Sequence, residues 1–166
     1  LGDVYKRQTQ NRNQKTAQIM YHAISEQQGQ ELYKQEEIAW VGEFFNAFSE
    51  QVNHSTVNFT YANADMLKSQ SMPYSGDLPA LENEIVVQES FLDSLGYSNE
   101  LGQTIQIPFS DGTTHDFKLT GILDVKTGDI GRYTAIISKE LVRQQYGDEG
   151  MICLLYTSPS PRDATL

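Results

Sequence analysis

The chain has 166 residues, which allows one domain or two small subdomains. Its 39% hydrophobic content, with 10% aromatic, supplies a modest core and excludes a disordered chain. A formal net charge of −10 argues against nucleic-acid binding, which needs clustered Lys and Arg, and against adhesion to an anionic leaflet. Simple solubility is the plainest role for that charge.

The two ends read differently from the rest. Residues 1–8 (LGDVYKRQ) and the tail from Cys153 (CLLYTSPSPRD) resemble translated sequencing-adapter read-through. Residues 1–8 and 153–166 are therefore set apart from the expected fold, and residues 9–152 are expected to be a piece of a longer gene. The plainer alternative is a natural Ser/Pro-rich terminus. The single cysteine, Cys153, falls in that tail, which suits an extracytoplasmic protein without disulfides and equally many cytosolic domains. No apolar run approaches the roughly 18 residues that read as a membrane span. A charged start followed by an apolar leader is also missing, so any anchor is expected outside these residues.

Residues 9–15 are polar. Residues 16–24 predict a strand. Ser25 and Gln28 have the spacing of a capping box, which opens a helix to about Glu37 with Leu32 and Tyr33 inward. Residues 40–48 predict the next strand. Residues 56–62 alternate, with Val57, Phe59 and Tyr61 on one face. Residues 64–69 predict a helical turn. Two prolines and a glycine in residues 72–79 predict an irregular connection and a subdomain boundary near residues 70–80.

The second half has sharper punctuation. Residues 84–88 are a short β-branched strand. Ser90 and Asp93 approximate a capping box for a short helix that Gly96 ends in the left-handed conformation. Residues 104–109 and 116–122 predict a hairpin around Asp111-Gly112, where glycine supplies the positive φ. A last strand begins near Ala135. Ser138 caps a final helix with Leu141, Val142 and Tyr146 inward and Gly147 at its end.

Chemistry-bearing patterns are sparse. His22, His54 and His115 lack metal-ligand spacing, and His115 beside the hairpin turn reads as a solvated strand residue. The pairs Glu36/Glu37, Glu82/Glu84 and Asp148/Glu149 fall at predicted helix ends and loops, where solvated charge is the default. No nucleophile elbow, Cys–His pair or phosphate loop is present, so no catalytic residue, metal or cofactor is expected. Asn53-His54-Ser55 and Asn58-Phe59-Thr60 match the glycosylation pattern, which arises often by chance. Trp40, Phe44, Phe45 and Phe48 form an aromatic group. Core packing is its plainer reading, and a candidate partner surface the sharper one, because Trp40, Phe44 and Phe48 share strand parity while Phe45 faces the other way.

The phrase NEIVVQESFLDSLG, then LGQTIQI, then SDGTTHDFKLTGIL resembles the extracytoplasmic domain of MacB/FtsX-type ABC transporter permeases (the MacB-like periplasmic core domain). The resemblance covers roughly residues 16–147 and rests on order and spacing. It implies an α+β fold with a β-α-β-β porter-like half-unit at residues 9–70 and an inserted strand-rich subdomain, with a β-hairpin and short helices, at residues 71–152. The return of the chain to complete the porter-like unit is missing, so the fold is expected to be incomplete, with open edges and marginal stability or association. The resemblance further implies a non-catalytic domain at the extracytoplasmic face of the membrane. Its partners would be the transmembrane helices of the full-length permease and an ATPase subunit or domain, in a homodimer or heterodimer. A secreted or cell-surface binding module without a transporter is the first alternative. A hydrolase using paired carboxylates is the second.

Overall fold

A computed structural model describes the backbone of residues 5–11, 14–20, 40–125, 131–147 and 153–159, with side chains over 41–125 and 131–147. In chain order the elements are β1 (Tyr5–Asn11), β2 (Gln14–Met20), β3 (Trp40–Val52), β4 (Ser55–Ala62), α1 (Ala64–Ser69), β5 (Tyr74–Gly76), β6 (Glu84–Gln88), α2 (Glu89–Leu95), β7 (Thr104–Pro108), β8 (Thr114–Leu123), β9 (Arg132–Ile137), α3 (Lys139–Tyr146) and β10 (Cys153–Pro159). The fold is α+β, as expected. The helix expected over residues 25–37 lies outside the described residues.

One mixed sheet runs in the order β1-β2-β10-β3-β4-β9-β6-β8-β5, with β7 paired to β8. Strand pairing crosses the boundary expected near residues 70–80, because β4 pairs in parallel with β9. The stretches set apart on sequence grounds also contribute backbone: Tyr5–Asn11 pairs with β2, and Cys153–Pro159 pairs with both β2 and β3.

The sheet is apolar on both faces at its centre. In β6 the run Ile85, Val86, Val87 is fully buried, and in β9 so are Ala135, Ile136 and Ile137. A continuous apolar run is what a strand with no solvated side requires. On one face, Val57, Phe59, Tyr61, Ile85, Val87, Ala135 and Ile137 pack with Phe91 and Leu92 of α2, Val142 of α3 and the hairpin residues Ile105, Ile107, Phe117 and Leu119. On the other, Ala62, Val86, Leu123 and Ile136 pack with Met66 and Leu67 of α1.

Two bulges set which side chains reach which face. The β3–β4 register steps from Asn46↔Thr60 to Phe48↔Phe59, so Ala47 is the extra residue. The β6–β8 register steps from Ile85↔Leu119 to Val86↔Gly121, which makes Thr120 extra. An inserted residue inverts the inward parity of everything after it.

Local chemistry places the turns and caps. Asn53 and His54 both have positive φ (48° and 71°), and they form the two-residue turn between β3 and β4. The Asp111 carboxylate accepts from the Thr113 amide at 2.8 Å, and Gly112 has a φ of +86°. Ser138 accepts from the Leu141 amide and caps α3. Gly96 ends α2 with a φ of +83°, as expected, but the start of α2 differs. Ser90 lies inside the helix, and Gln88 is the residue before it. Ser90 therefore makes no capping box, and its partner of the expected box, Asp93, is exposed.

The edge strand β7 is blunted. Its Ile105 and Ile107 side chains go to the core. The Phe109 amide donates to Thr113, so the outward-facing backbone positions of β7 are Thr104, Gln106 and Pro108. The Gln106 amide donates to the Tyr97 hydroxyl at 3.0 Å, and proline has no amide to offer. An incoming strand finds no free donor at Gln106 or Pro108.

Two predictions come from the β5–β6–β8 region. Strands β5 and β8 approach where Gly76 pairs with Gly121. A Cβ on Gly121 would lie 2.6 Å from the Ser75 carbonyl oxygen and 3.0 Å from that of Asp77. Gly121→Ala is expected to lower stability by about 1–3 kcal/mol through this overpacking, measured by equilibrium denaturation. Glu84 accepts from the amides of Leu81 (2.7 Å) and Ala80 (2.9 Å), and the Leu81 bond above all holds its carboxyl below the usual range. A depressed folded pKa stabilises above the unfolded value, and that stabilisation is lost as pH falls through the folded one. Urea midpoints followed into the acid range are expected to fall less steeply for Glu84→Gln than for the parent.

Candidate functional site

The aromatic residues of β3 divide between the two sides of the sheet, and the division differs from the parity read off the sequence. Phe45 is buried with the first cluster. Phe44 points the other way and packs, half-buried, against the second. The bulge at Ala47 then brings Phe48 back to the Phe45 side, where it stacks on Phe59 with centroids 4.7 Å apart. Phe48 therefore does not share a face with Phe44. The ring of Phe109, from the β7–β8 hairpin, lies 5.6 Å from Phe59 and 6.1 Å from Phe48. Behind it the Ser110 hydroxyl donates to Glu50 at 2.9 Å, which ties the hairpin tip to β3. Each such aromatic pair adds about 0.5–1.5 kcal/mol beyond area burial; Phe45 is buried in this core, and Phe48 packs against it partly buried. The structure describes the backbone of Trp40 within β3.

A polar cluster that the sequence patterns did not reveal sits where β4 and β9 end. Glu43, only 5% exposed, accepts from the Tyr61 hydroxyl at 2.8 Å and pairs with Lys139 at 3.3 Å. The Asn63 side chain accepts from the Glu43 amide (3.0 Å) and the Met66 amide (3.0 Å) and donates to the Val41 carbonyl (2.9 Å). One amide thus continues the ladder for β3 after β4 has ended and also caps α1. Gln88 does similar work at the other end of the sheet. It accepts from Thr134 (2.7 Å) and donates to the Val125 carbonyl (3.3 Å). Residues 43, 61 and 139 are too far apart in sequence for a motif, and pairing of β3 with β4 brings the first two together.

The remaining candidates stand apart. His54 and His115 are exposed, and His22 lies outside the described residues. The His115 ring rests on Phe109 with centroids 4.0 Å apart, and its Nε2 lies 2.9 Å from the Thr113 hydroxyl. Glu82 is exposed and contacts Gln144, while Glu84 is engaged by the turn before it. Glu36/Glu37 and Asp148/Glu149 lie outside the described residues. Among the described residues no group of three or more His, Cys, Asp or Glu is placed to hold a metal ion. No helix among them is long and apolar enough to cross a membrane.

Comparison of the fold with solved structures finds similar domains of transporter and permease proteins. The extracellular domain of the noncanonic ABC-type transporter YknZ from Gram-positive bacteria matches with a TM-score of 0.63 at 9% identity, over 90% of this chain and 87% of that one. The periplasmic region of MacB from Actinobacillus actinomycetemcomitans matches at 0.57 and 15% identity, over 86% and 69%. A domain of a Porphyromonas gingivalis protein assigned as a permease matches at 0.57 and 9%, over 90% and 74%. The chain shares the fold of these domains. No family model and no curated protein matches the sequence.

The split of the β3 aromatics is testable by stability. Phe45→Ala is expected to cost about 3–5 kcal/mol, in the range for a buried ring. Phe44→Ala is expected to cost clearly less, since that ring is half-exposed. Equal losses in chemical denaturation would contradict this assignment.

Proposed function

We propose that this chain is a non-catalytic extracytoplasmic domain of an ABC transporter permease, contacting substrate or partner and coupling to ATP-driven movement of transmembrane helices. The observation that carries the reading is the shared fold with YknZ, MacB and the Porphyromonas gingivalis domain, each aligned over at least 86% of this chain. The order and spacing of the strand, helix and hairpin phrase from Asn83 to Leu123 supports it independently. The polar groups of the core also fit a body that transmits movement. Glu43 ties β3 to β4 and α3, Asn63 ties β3 to α1, and Gln88 ties β6 to β9 and to the segment after β8. Such use rigidifies a fold.

The intact protein would then sit at the extracytoplasmic face of a membrane, with the helices of its own permease and an ATPase subunit or domain as partners, in a homodimer or heterodimer. On this reading Trp40, Phe44, Phe45 and Phe48 remain the proposed partner surface, with Phe44 and Phe48 its partly buried members on opposite sides of the sheet. Reading the gene past both ends tests the assignment. Apolar spans before and after the domain, beside an ATPase gene or domain, are expected. A stop codon soon after the present C-terminus, with only a cleavable leader upstream, would overturn the permease reading and leave a secreted binding module.

A further inference from the structure

Helix α3 is fastened to β3 at both of its ends. At its start Lys139 pairs with Glu43 at 3.3 Å and lies 6.0 Å from the centre of the Tyr61 ring, whose hydroxyl donates to the same carboxylate. At its end the Tyr146 hydroxyl donates to the Ala47 carbonyl at 2.7 Å, and its ring meets Phe45 edge-on with centroids 5.1 Å apart. Seven helical steps from Lys139 to Tyr146 rise about 10.5 Å. Four steps of strand from Glu43 to Ala47 span about 13 Å. Helix and strand segment are therefore of comparable length, with a polar tie at each end.

Between the ties the apolar footing is narrow. Among the residues of α3 only Val142 is buried, and Leu141 is half-buried. A helix of two turns has too few internal bonds to persist without such support. Lys139 in the first turn also opposes the helix dipole, an opposition that the Glu43 carboxylate offsets. The Lys139 side chain is 26% exposed and that of Glu43 only 7%, so the pair opens from the lysine side.

We propose that α3 is a strap that detaches from β3 as a unit while the sheet stays folded, with the Glu43–Lys139 pair as its latch. Detachment uncovers the Phe45 and Tyr61 side of β3 and β4. This inference does not rest on the transporter reading. Local opening of this kind is expected where few apolar contacts hold an element.

Amide hydrogen exchange on the whole 166-residue chain tests it, by comparing the Val142 and Gly147 amides with those of Phe59 and Ile136. The α3 amides are expected to exchange at least tenfold faster, with a weaker denaturant dependence. Lys139→Met is expected to speed α3 exchange about five- to tenfold, and β4 and β9 exchange by no more than the same factor, because the pair is broken in both the detached and the unfolded state. Glu43→Gln should do the same, and the double variant should add little to either. Equal protection and equal denaturant slopes in α3, β4 and β9 would overturn the strap. So would a rise in β4 and β9 exchange on Lys139→Met with none in α3, because the pair would then break only on global unfolding. Should Glu43→Gln fail to fold, Lys139→Met and Tyr146→Phe, each altering a partly exposed tie, decide the matter by themselves.

Discussion

Strands β6 and β9 bury side chains on both of their faces, and a strand with no solvated side needs cover above and below. Val86 and Ile136 face α1, while Ile85, Val87, Ala135 and Ile137 face α2, α3 and the β7–β8 hairpin. Burying one such side chain is worth about 1.5–3 kcal/mol. Each described helix has eight residues or fewer and contributes one or two buried side chains. The hairpin does what a longer helix would otherwise do. It curls until Phe109 reaches Phe48 and Phe59 and closes the first face.

Short helices leaving a buried sheet create a second demand. Where a strand ends and a helix turns away, the neighbouring strands lose ladder partners, and unpaired backbone groups inside a protein are costly. Asn63, Gln88 and Ser138 each occupy such a junction. Asn63 serves three backbone groups and Gln88 two. These side chains explain why polar residues occur beside the most buried strands, and why their presence says nothing about catalysis.

Elements governed by local chemistry were legible in the sequence. The alternation of Val57, Phe59 and Tyr61, the β-branched run before Gln88, the Asp111-Gly112 turn and the Ser138 cap each depend on neighbours a few residues away. The bulges were not legible. A register step at Ala47 or Thr120 is an agreement between two strands, and neither residue carries a local mark of it. That is why period-two parity put Phe48 with Phe44 when the chain puts it with Phe45. The cap of α2 failed for a related reason. Ser90 has the right spacing to Asp93, but the buried end of β6 pulls the helix start two residues earlier, and Gln88 turns its side chain to Thr134 and Val125. Glu43 carried no signal because its partners come from β4 and α3, 18 and 96 residues away.

The same separation between local and long-range marks bears on how a fold can persist at 9–15% identity. What must be retained is the order of turns and caps, the double-sided burial of two central strands, and some polar group at each strand-to-helix junction. Many residues satisfy each of these demands. The Gly76–Gly121 crossing is far less permissive, since a side chain on Gly121 meets the backbone oxygen of Ser75 and one on Gly76 meets that of Thr120. A family held together by spacing would therefore diverge at nearly every core position while keeping its punctuation. Recognition of such a domain consequently rests on where glycines, caps and short apolar runs fall relative to one another. Its chemistry gives no comparable handle, because its buried polar groups are engaged in holding the sheet and helices together.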